Sequence, residues 1–122
     1  MYGSFSLLNS NYIVEEGYND NGHWRKWSNG TLDMWGIYSF SAANINQAAG
    51  AIYYSNAYLI TLPFPSLSGV TGISYTVISS GSCWATGASN GDRINNLGWR
   101  LESGMQYSAS GSLSWRCTGT WK

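Results

Sequence analysis

The clearest pattern in the chain is an alternation of apolar and polar residues in its last third. Leu97, Trp99 and Leu101 share one set of alternate positions, while Arg100 and Glu102 occupy the other. Successive strand residues point to opposite faces, so this pattern predicts strands with one buried and one exposed face. The alternation continues to the end of the chain, where the predicted buried positions are Leu113, Trp115, Cys117 and Trp121.

A second pattern, in the segment 24–35, predicts a β-hairpin. Asn29-Gly30 is a dipeptide favoured in two-residue type I′ turns, because both residues must take positive φ. Such a turn would place one opposite-charge pair and one aromatic pair in register, as cross-strand pairing prefers. The predicted pairs are Trp27 with Leu32, Lys26 with Asp33, Arg25 with Met34, and Trp24 with Trp35.

Tryptophans and cations are neighbours along the chain. Arg25, Lys26, Arg100, Arg116 and Lys122 each adjoin a tryptophan. Because neighbours on a strand point to opposite faces, the pattern predicts indoles inward and cations outward. The tryptophans assigned to packing are Trp24, Trp27, Trp35, Trp99, Trp115 and Trp121.

Two further stretches, 53–62 and 70–79, carry apolar residues on both alternate faces. An antiparallel sheet commonly packs one face on the core and exposes the other to solvent, so apolar residues on both faces would be unusual. We therefore expect neighbouring subunits to cover the second face. Pro63 and Pro65 end the first stretch, since proline cannot join a central ladder.

These patterns together predict an all-β chain. Turn signals recur about every ten residues from Tyr12 onward, the spacing of a sandwich or barrel. The 122 residues fit one domain. We therefore predict a single antiparallel β-sandwich of about eight strands over 12–122, preceded by a neck or linker at 1–11.

The low fraction of charged residues limits the classes of partner that the chain can attract. Only 10% of residues are charged, and six basic residues cancel six acidic ones. No field is present to attract nucleic acid, and no long apolar run or signal-type segment indicates membrane insertion or general secretion. A surface of hydroxyls and amides suits neutral partners such as sugars, or packing against further copies of the chain.

The sequence offers little for catalysis. With one histidine, neither a histidine-rich metal site nor a Ser-His-Asp set has support. Paired carboxylates remain as a glycosidase alternative, but Asp33 is predicted to face Lys26, and the adjacent Glu15 and Glu16 point to opposite faces. We expect no enzyme activity, no metal and no cofactor. Cys83 and Cys117 fit two free thiols, with a single disulfide as the alternative.

Four segments of the chain resemble a known family. They are Trp-Arg-Lys-Trp-Ser-Asn-Gly-Thr-Leu-Asp-Met-Trp-Gly at 24–36, Ile-Thr-Leu-Pro-Phe-Pro at 60–65, Gly-Trp-Arg-Leu at 98–101 and Trp-Arg-Cys-Thr-Gly-Thr-Trp at 115–121. Their order resembles the C-terminal receptor-binding domain of bacteriophage tail fibres and prophage tail proteins, with the Trp-Gly hairpin as the sharpest element. The resemblance covers about 12–122.

The resemblance implies a non-enzymatic virion protein. Domains of this family are β-sandwiches that trimerise and carry receptor contacts at the tip, so a homotrimer attached to the rest of a tail fibre is expected. Its receptor would be a host cell-surface glycan or another surface molecule. The chain would be assembled in the bacterial cytoplasm and would act outside the host, as part of the phage tail.

A simple up-and-down strand order predicts where a receptor would bind. The loops at 17–22, 41–50, 79–82 and 102–110 would then lie at the end opposite the neck. The candidate receptor or glycan contacts on these loops are Tyr18, Asp20, His23, Asn44, Asn46, Gln47, Gln106 and Tyr107. Two alternatives stay open, a free-standing carbohydrate-binding lectin and a structural fibre cap.

Overall fold

A computed structural model describes residues 10–79 and 81–122; the predicted neck at 1–11 lies mostly outside these ranges. The described residues form ten strands: β1 Ile13–Asn19, β2 Gly22–Trp27, β3 Thr31–Ile45, β4 Gln47–Ala49, β5 Ile52–Tyr54, β6 Tyr58–Thr61, β7 Thr71–Ser79, β8 Trp84–Gly87, β9 Asn96–Ser103 and β10 Tyr107–Thr120. Within those ranges, no helix has the length and hydrophobicity that a membrane-spanning segment needs.

The strands form two antiparallel sheets. Sheet A has the order β1-β2-β3-β10-β7 and is built around the long pair of β3 and β10. Sheet B has the order β4-β5-β9-β6, and β8 pairs with β9 as well. The predicted antiparallel β-sandwich is confirmed, and the count of ten exceeds the expected eight because β4 and β5 are short strands of three residues each.

The core lies between the sheets and follows the predicted alternation. Sheet A contributes Leu113 and Cys117, and sheet B contributes Leu97 and Leu101, all fully buried. Trp99 of β9 is also fully buried, with its ring against those of Tyr38, Phe40 and Tyr58. Burying apolar side chains from both sheets is the main source of stability in such a sandwich.

The hairpin of β2 and β3 forms, but its predicted register is wrong by one residue. His23 pairs with Trp35 and Lys26 pairs with Leu32. The turn has three residues instead of two: the Gly30 N–H donates to the Trp27 carbonyl at 3.0 Å, and Gly30 takes a φ of 94°. This is a type I turn followed by a glycine bulge, which the Asn-Gly dipeptide also accommodates.

The rule of inward indoles and outward cations fails at two positions of β2, Lys26 and Trp27. Trp27 and Trp35 lie on the outer face of sheet A, so their assignment to the core is wrong. Lys26 instead turns inward, with Nζ 3.0 Å from Glu15 and 4.0 Å from the centre of the Phe64 ring. Trp24 does pack against the core, beside Phe64, and because it lies three positions before Trp27, the two indoles cannot share one face of the strand.

The two stretches predicted to be apolar on both faces keep this character in part. In the segment 53–62, β5 and β6 are separated by residues 55–57, and β6 turns Ile60 to the core and leaves Leu59 45% exposed. Strand β7 alternates, with Ser74 and Thr76 on the outer face.

Both cysteines are free, as predicted. Burial, together with the charge of Asp33, raises the pKa of Cys117 to about 12.

Candidate binding surface

A row of aromatic rings crosses the outer face of sheet A. Tyr18 of β1 pairs with His23 of β2, which in turn pairs with Trp35 of β3. The His23 and Trp35 rings are stacked, 5.5 Å between centroids and 5° between planes. Tyr18 lies 5.8 Å from His23 and is 76% exposed, so the row presents an open tyrosine ring at its outer edge.

Two guanidinium groups flank the Trp35 ring. Arg25 lies 5.2 Å from its centroid and Arg116 of β10 lies 6.0 Å away, within the range of a cation–π contact. Arg25 is neutralised by Glu16, with Nε 2.6 Å from Oε1. Because both groups of this ion pair are partly exposed, the pair adds little stability and serves mainly to hold Arg25 beside the indole.

The aromatic row borders an open groove of about 650 Å³. Asp20 and Asn19 lie at one side, and Ile37, which is 75% exposed, lies at the other. Hydroxyl groups from β7 and β10 complete the lining: Ser74, Thr76 and Ser114. The groove therefore combines ring faces with short polar side chains, the composition that suits a sugar or another neutral polar ligand.

The structure separates the eight residues predicted from the loops into three places. Asp20 and His23 line the groove on sheet A, and Tyr18 lies beside it, in a smaller adjoining hollow that shares His23 and Trp35 with the groove. Gln47 lies on sheet B, where its Nε2 donates to Asn56 Oδ1 at 2.9 Å. The remaining residues, at the far ends of β3 and β10, are Asn44, Asn46, Gln106 and Tyr107.

The length of β3 causes this separation. The β1–β2 turn at residues 20–21 lies beside Trp35 and Gly36, whereas Ile45 at the end of β3 pairs with Tyr107. Nine residue steps along β3, at most about 30 Å, separate Gly36 from Ile45. The prediction that the 17–22 loop lies at the far end, which came from counting strands up and down, is therefore wrong.

Hydrogen bonds agree with the prediction that two of the other loops share one end of the domain. At the far end, Ser103 Oγ donates to the Ser82 carbonyl at 2.7 Å and Gly111 pairs with Ser79. At the near end, the Trp121 N–H donates to the Gly30 carbonyl at 3.0 Å. The described residues of the 79–82 loop therefore lie beside the 102–110 segment, opposite the hairpin turn and Trp121.

Tyr107 is held by its surroundings instead of being presented to solvent. Its hydroxyl is buried near Cys83 and Ser79 without a well-formed hydrogen bond, and its ring packs directly over Gly81. Burial, followed by the neighbouring Cys83 thiol, raises the pKa of Tyr107. A side chain at Gly81 would collide with this ring, so Tyr107 supports the far-end loops more than it offers a contact.

Three contributors to these surfaces were not predicted from the sequence. Trp35 was assigned to the core, and Arg116 was predicted only to face outward. The contact between Arg100 and Tyr54 was not predicted. A three-residue hairpin loop, tested against the same sequence, would have paired Trp35 with His23 and revealed the aromatic row. No local signal marks Arg100, because its neighbours come from distant strands.

Comparison with known proteins supports the fold. The chain is similar to a solved structure of the P. aeruginosa R1 pyocin fibre, a C-terminal fragment, with a TM-score of 0.57 and 15% sequence identity. The match covers 87% of this chain and 28% of that fragment, so the chain spans little more than a quarter of it. No protein-family model and no curated protein sequence matches the chain. At this identity the similarity establishes a tail-fibre-like fold.

Proposed function

We propose that this domain is part of a bacteriophage tail fibre or a related fibre, where it trimerises and binds a host cell-surface glycan. The observation that carries the proposal is the similarity of fold to a pyocin fibre fragment over 87% of the chain. Fold alone does not determine function, so the support for a binding role has to come from the residues of the candidate surface.

The groove on sheet A supports glycan binding. Tyr18 offers an exposed ring for stacking on a sugar, and Asp20 and Asn19 offer hydrogen-bonding groups beside it. The neutral overall charge favours an uncharged or weakly charged partner at this surface. A free-standing lectin would use the same groove, but would work as a monomer or dimer.

A non-enzymatic role forms part of the proposal. The carboxylates named as a possible catalytic pair are committed elsewhere: Glu16 is paired with Arg25 and Glu15 with Lys26. Asp33 accepts from Trp27 Nε1 at 2.8 Å and from Thr118 Oγ1 at 3.2 Å. These contacts support carboxylates that hold the hairpin in place, instead of the predicted pairing of Asp33 with Lys26.

Replacement of Tyr18 tests the binding surface. We expect Tyr18→Ala to weaken binding to an array of bacterial lipopolysaccharides, capsular glycans and teichoic acids by about fivefold, because one stacked ring contributes on the order of 1 kcal/mol. Tyr12→Ala is the matched control, since Tyr12 is also exposed, at 62%, but lines neither the groove nor the hollow beside it and is not part of the aromatic row.

Either of two results would contradict this placement. Equal losses in Tyr18→Ala and Tyr12→Ala would show that the groove is not the binding surface. A domain that bound none of the arrayed glycans and no cells from a broad bacterial panel would overturn the proposed function.

A further inference from the structure

A second groove lies on the outer face of sheet B, around Arg100. This residue of β9 projects away from the core, between the fully buried Trp99 and Leu101. Its Cζ lies 4.5 Å from the centre of the Tyr54 ring, and Tyr54 comes from the neighbouring β5. The guanidinium plane is therefore held against an aromatic face and has lost part of its freedom before any ligand arrives.

Arg100 has no anionic partner in the described part of the chain. The ion pairs there join Arg25 to Glu16 and Lys26 to Glu15. Glu102 lies two residues away on the same face, but its Oε1 accepts from Thr86 Oγ1 at 2.7 Å instead. Moreover, Arg100 Nε is buried without a hydrogen-bond partner. Because that atom is covered by the protein, an incoming anion can reach only the two terminal guanidinium nitrogens, which are accessible and have no hydrogen bond in the described residues.

The space beside Arg100 is lined by neutral polar groups. The groove measures about 500 Å³, within the range of small-ligand sites. Gln47 and Asn56, already joined by a hydrogen bond, form one side, and Ser89 and Asn90 form the other. Arg100 is the one charged residue that lines it, and Glu102 does not.

We propose that this groove binds an acidic saccharide, with the carboxylate or phosphate of the sugar paired to Arg100. A planar guanidinium with unused N–H groups matches either anion through two parallel hydrogen bonds. Tyr54 and the amides of Gln47 and Asn56 would contact the sugar ring and its hydroxyls. The inference rests on the proposed function in taking the ligand to be a saccharide, and it deepens that proposal by naming the charged class.

Three sugars that differ only at C6 test the inference: glucose, glucuronate and glucose 6-phosphate. We expect both acidic sugars, or one of them, to bind about tenfold or more tightly than glucose in a calorimetric or NMR titration at low salt. The stronger of the two identifies the anion as carboxylate or phosphate. Arg100→Gln should remove the preference, and Arg100→Lys should restore only part of it, because lysine lacks the planar fork.

Arg93→Gln is the matched control. It removes one positive charge from an exposed arginine that does not line the groove, so the preference for acidic sugars should persist. Thermal unfolding of each variant establishes that it is folded before the titrations are compared.

The outcomes separate this inference from the proposed function. Equal binding of the three sugars, or equal losses in Arg100→Gln and Arg93→Gln, overturns the Arg100 site. If the acidic sugars do not bind preferentially while the domain still binds arrayed glycans through Tyr18, only the second groove is overturned. If neither the sugars nor the arrayed glycans bind, both proposals are overturned.

Discussion

Asp92 organises the loop between β8 and β9 with its own side chain. Its Oδ1 accepts from the backbone N–H groups of Ile94, Asn95 and Asn96 at 2.9, 2.8 and 3.2 Å. The bonds from Asn95 and Ile94 favour the ionised carboxylate and lower the pKa of Asp92 to about 2. The loop in turn accepts a backbone hydrogen bond from Ser66 through the Ile94 carbonyl.

This lowered pKa predicts acid sensitivity. The stability that ionised Asp92 contributes is fully present above its ordinary value near 3.8 and is lost as the pH falls to about 2. We expect Asp92→Asn to lower the unfolding temperature at neutral pH and to reduce its further fall between about pH 4 and pH 2. Thermal unfolding across that pH range measures both effects, with Asp20→Asn as the control. An Asp92→Asn variant with the same pH dependence as the natural sequence would contradict this account of the loop.

Trp35 shows how a single residue limits prediction from sequence. Its neighbours along the chain suggested a buried indole, because Met34 and Trp35 are both apolar and either could face the core. The structure buries Met34 and turns Trp35 outward, where it stacks on His23. Alternation alone cannot distinguish the two faces when both carry apolar side chains; the turn geometry at Gly30 decides it.

The pairing of β7 with β10 depends on Gly111. A Cβ at Gly111 would lie in direct collision with the carbonyl oxygen of Ile78 on the adjacent strand. The position follows an irregularity in the pairing of β10 with β3 between Ala109 and Gly111. The close approach of the two backbones is therefore possible only without a side chain at this point.

Substitution at Gly111 tests this contact between elements. We expect Gly111→Ala to lower the free energy of unfolding by about 1–3 kcal/mol, the typical cost of forcing an extra group into a packed site. Gly87→Ala in β8 is the control, because nothing lies within 4 Å of a Cβ built there. Urea denaturation measures both variants. Equal stability of the two variants would show that β7 can move away from β10 without cost.

At the scale of elements, alternation predicted the strands well and their lengths poorly. The core faces of β9 and β10 agree with the pattern read from 97–101 and 113–121. The length of β3 was not predictable, because its second half is stabilised by pairing with β10, some seventy residues later in the chain, and not by its own sequence. The candidate binding residues lie in separate places because β3 is longer than its own sequence predicted.

The whole molecule leaves several large apolar side chains on its surface. Ile37 is 75% exposed, Ile78 is 69% exposed and Leu67 is 67% exposed. Single exposed residues of this kind are ordinary, but Ile37 and Ile78 lie on the same outer face of sheet A, among small hydroxyl-bearing residues of β7 and β10. Ile37 lines the groove on this face whereas Ile78 does not, so the surface around Ile78 is the part that is suited to contact with another copy of the chain.

The proposed place in a fibre makes a specific demand on this surface. A fibre domain must assemble with identical copies about the fibre axis, and cyclic symmetry lets the same contact repeat until the ring closes. Each of the two segments predicted to form subunit contacts keeps a large exposed apolar side chain, Leu59 in 53–62 and Ile78 in 70–79. These side chains support the proposed self-association.

The solution mass of the domain tests the central proposal most directly. Light scattering at micromolar and then nanomolar concentration requires no knowledge of the host or the sugar. The fibre account predicts a trimer, with three times the 13.4 kDa of one chain, that persists on dilution. A monomer at every concentration would contradict it and would favour a free-standing lectin that uses the same groove.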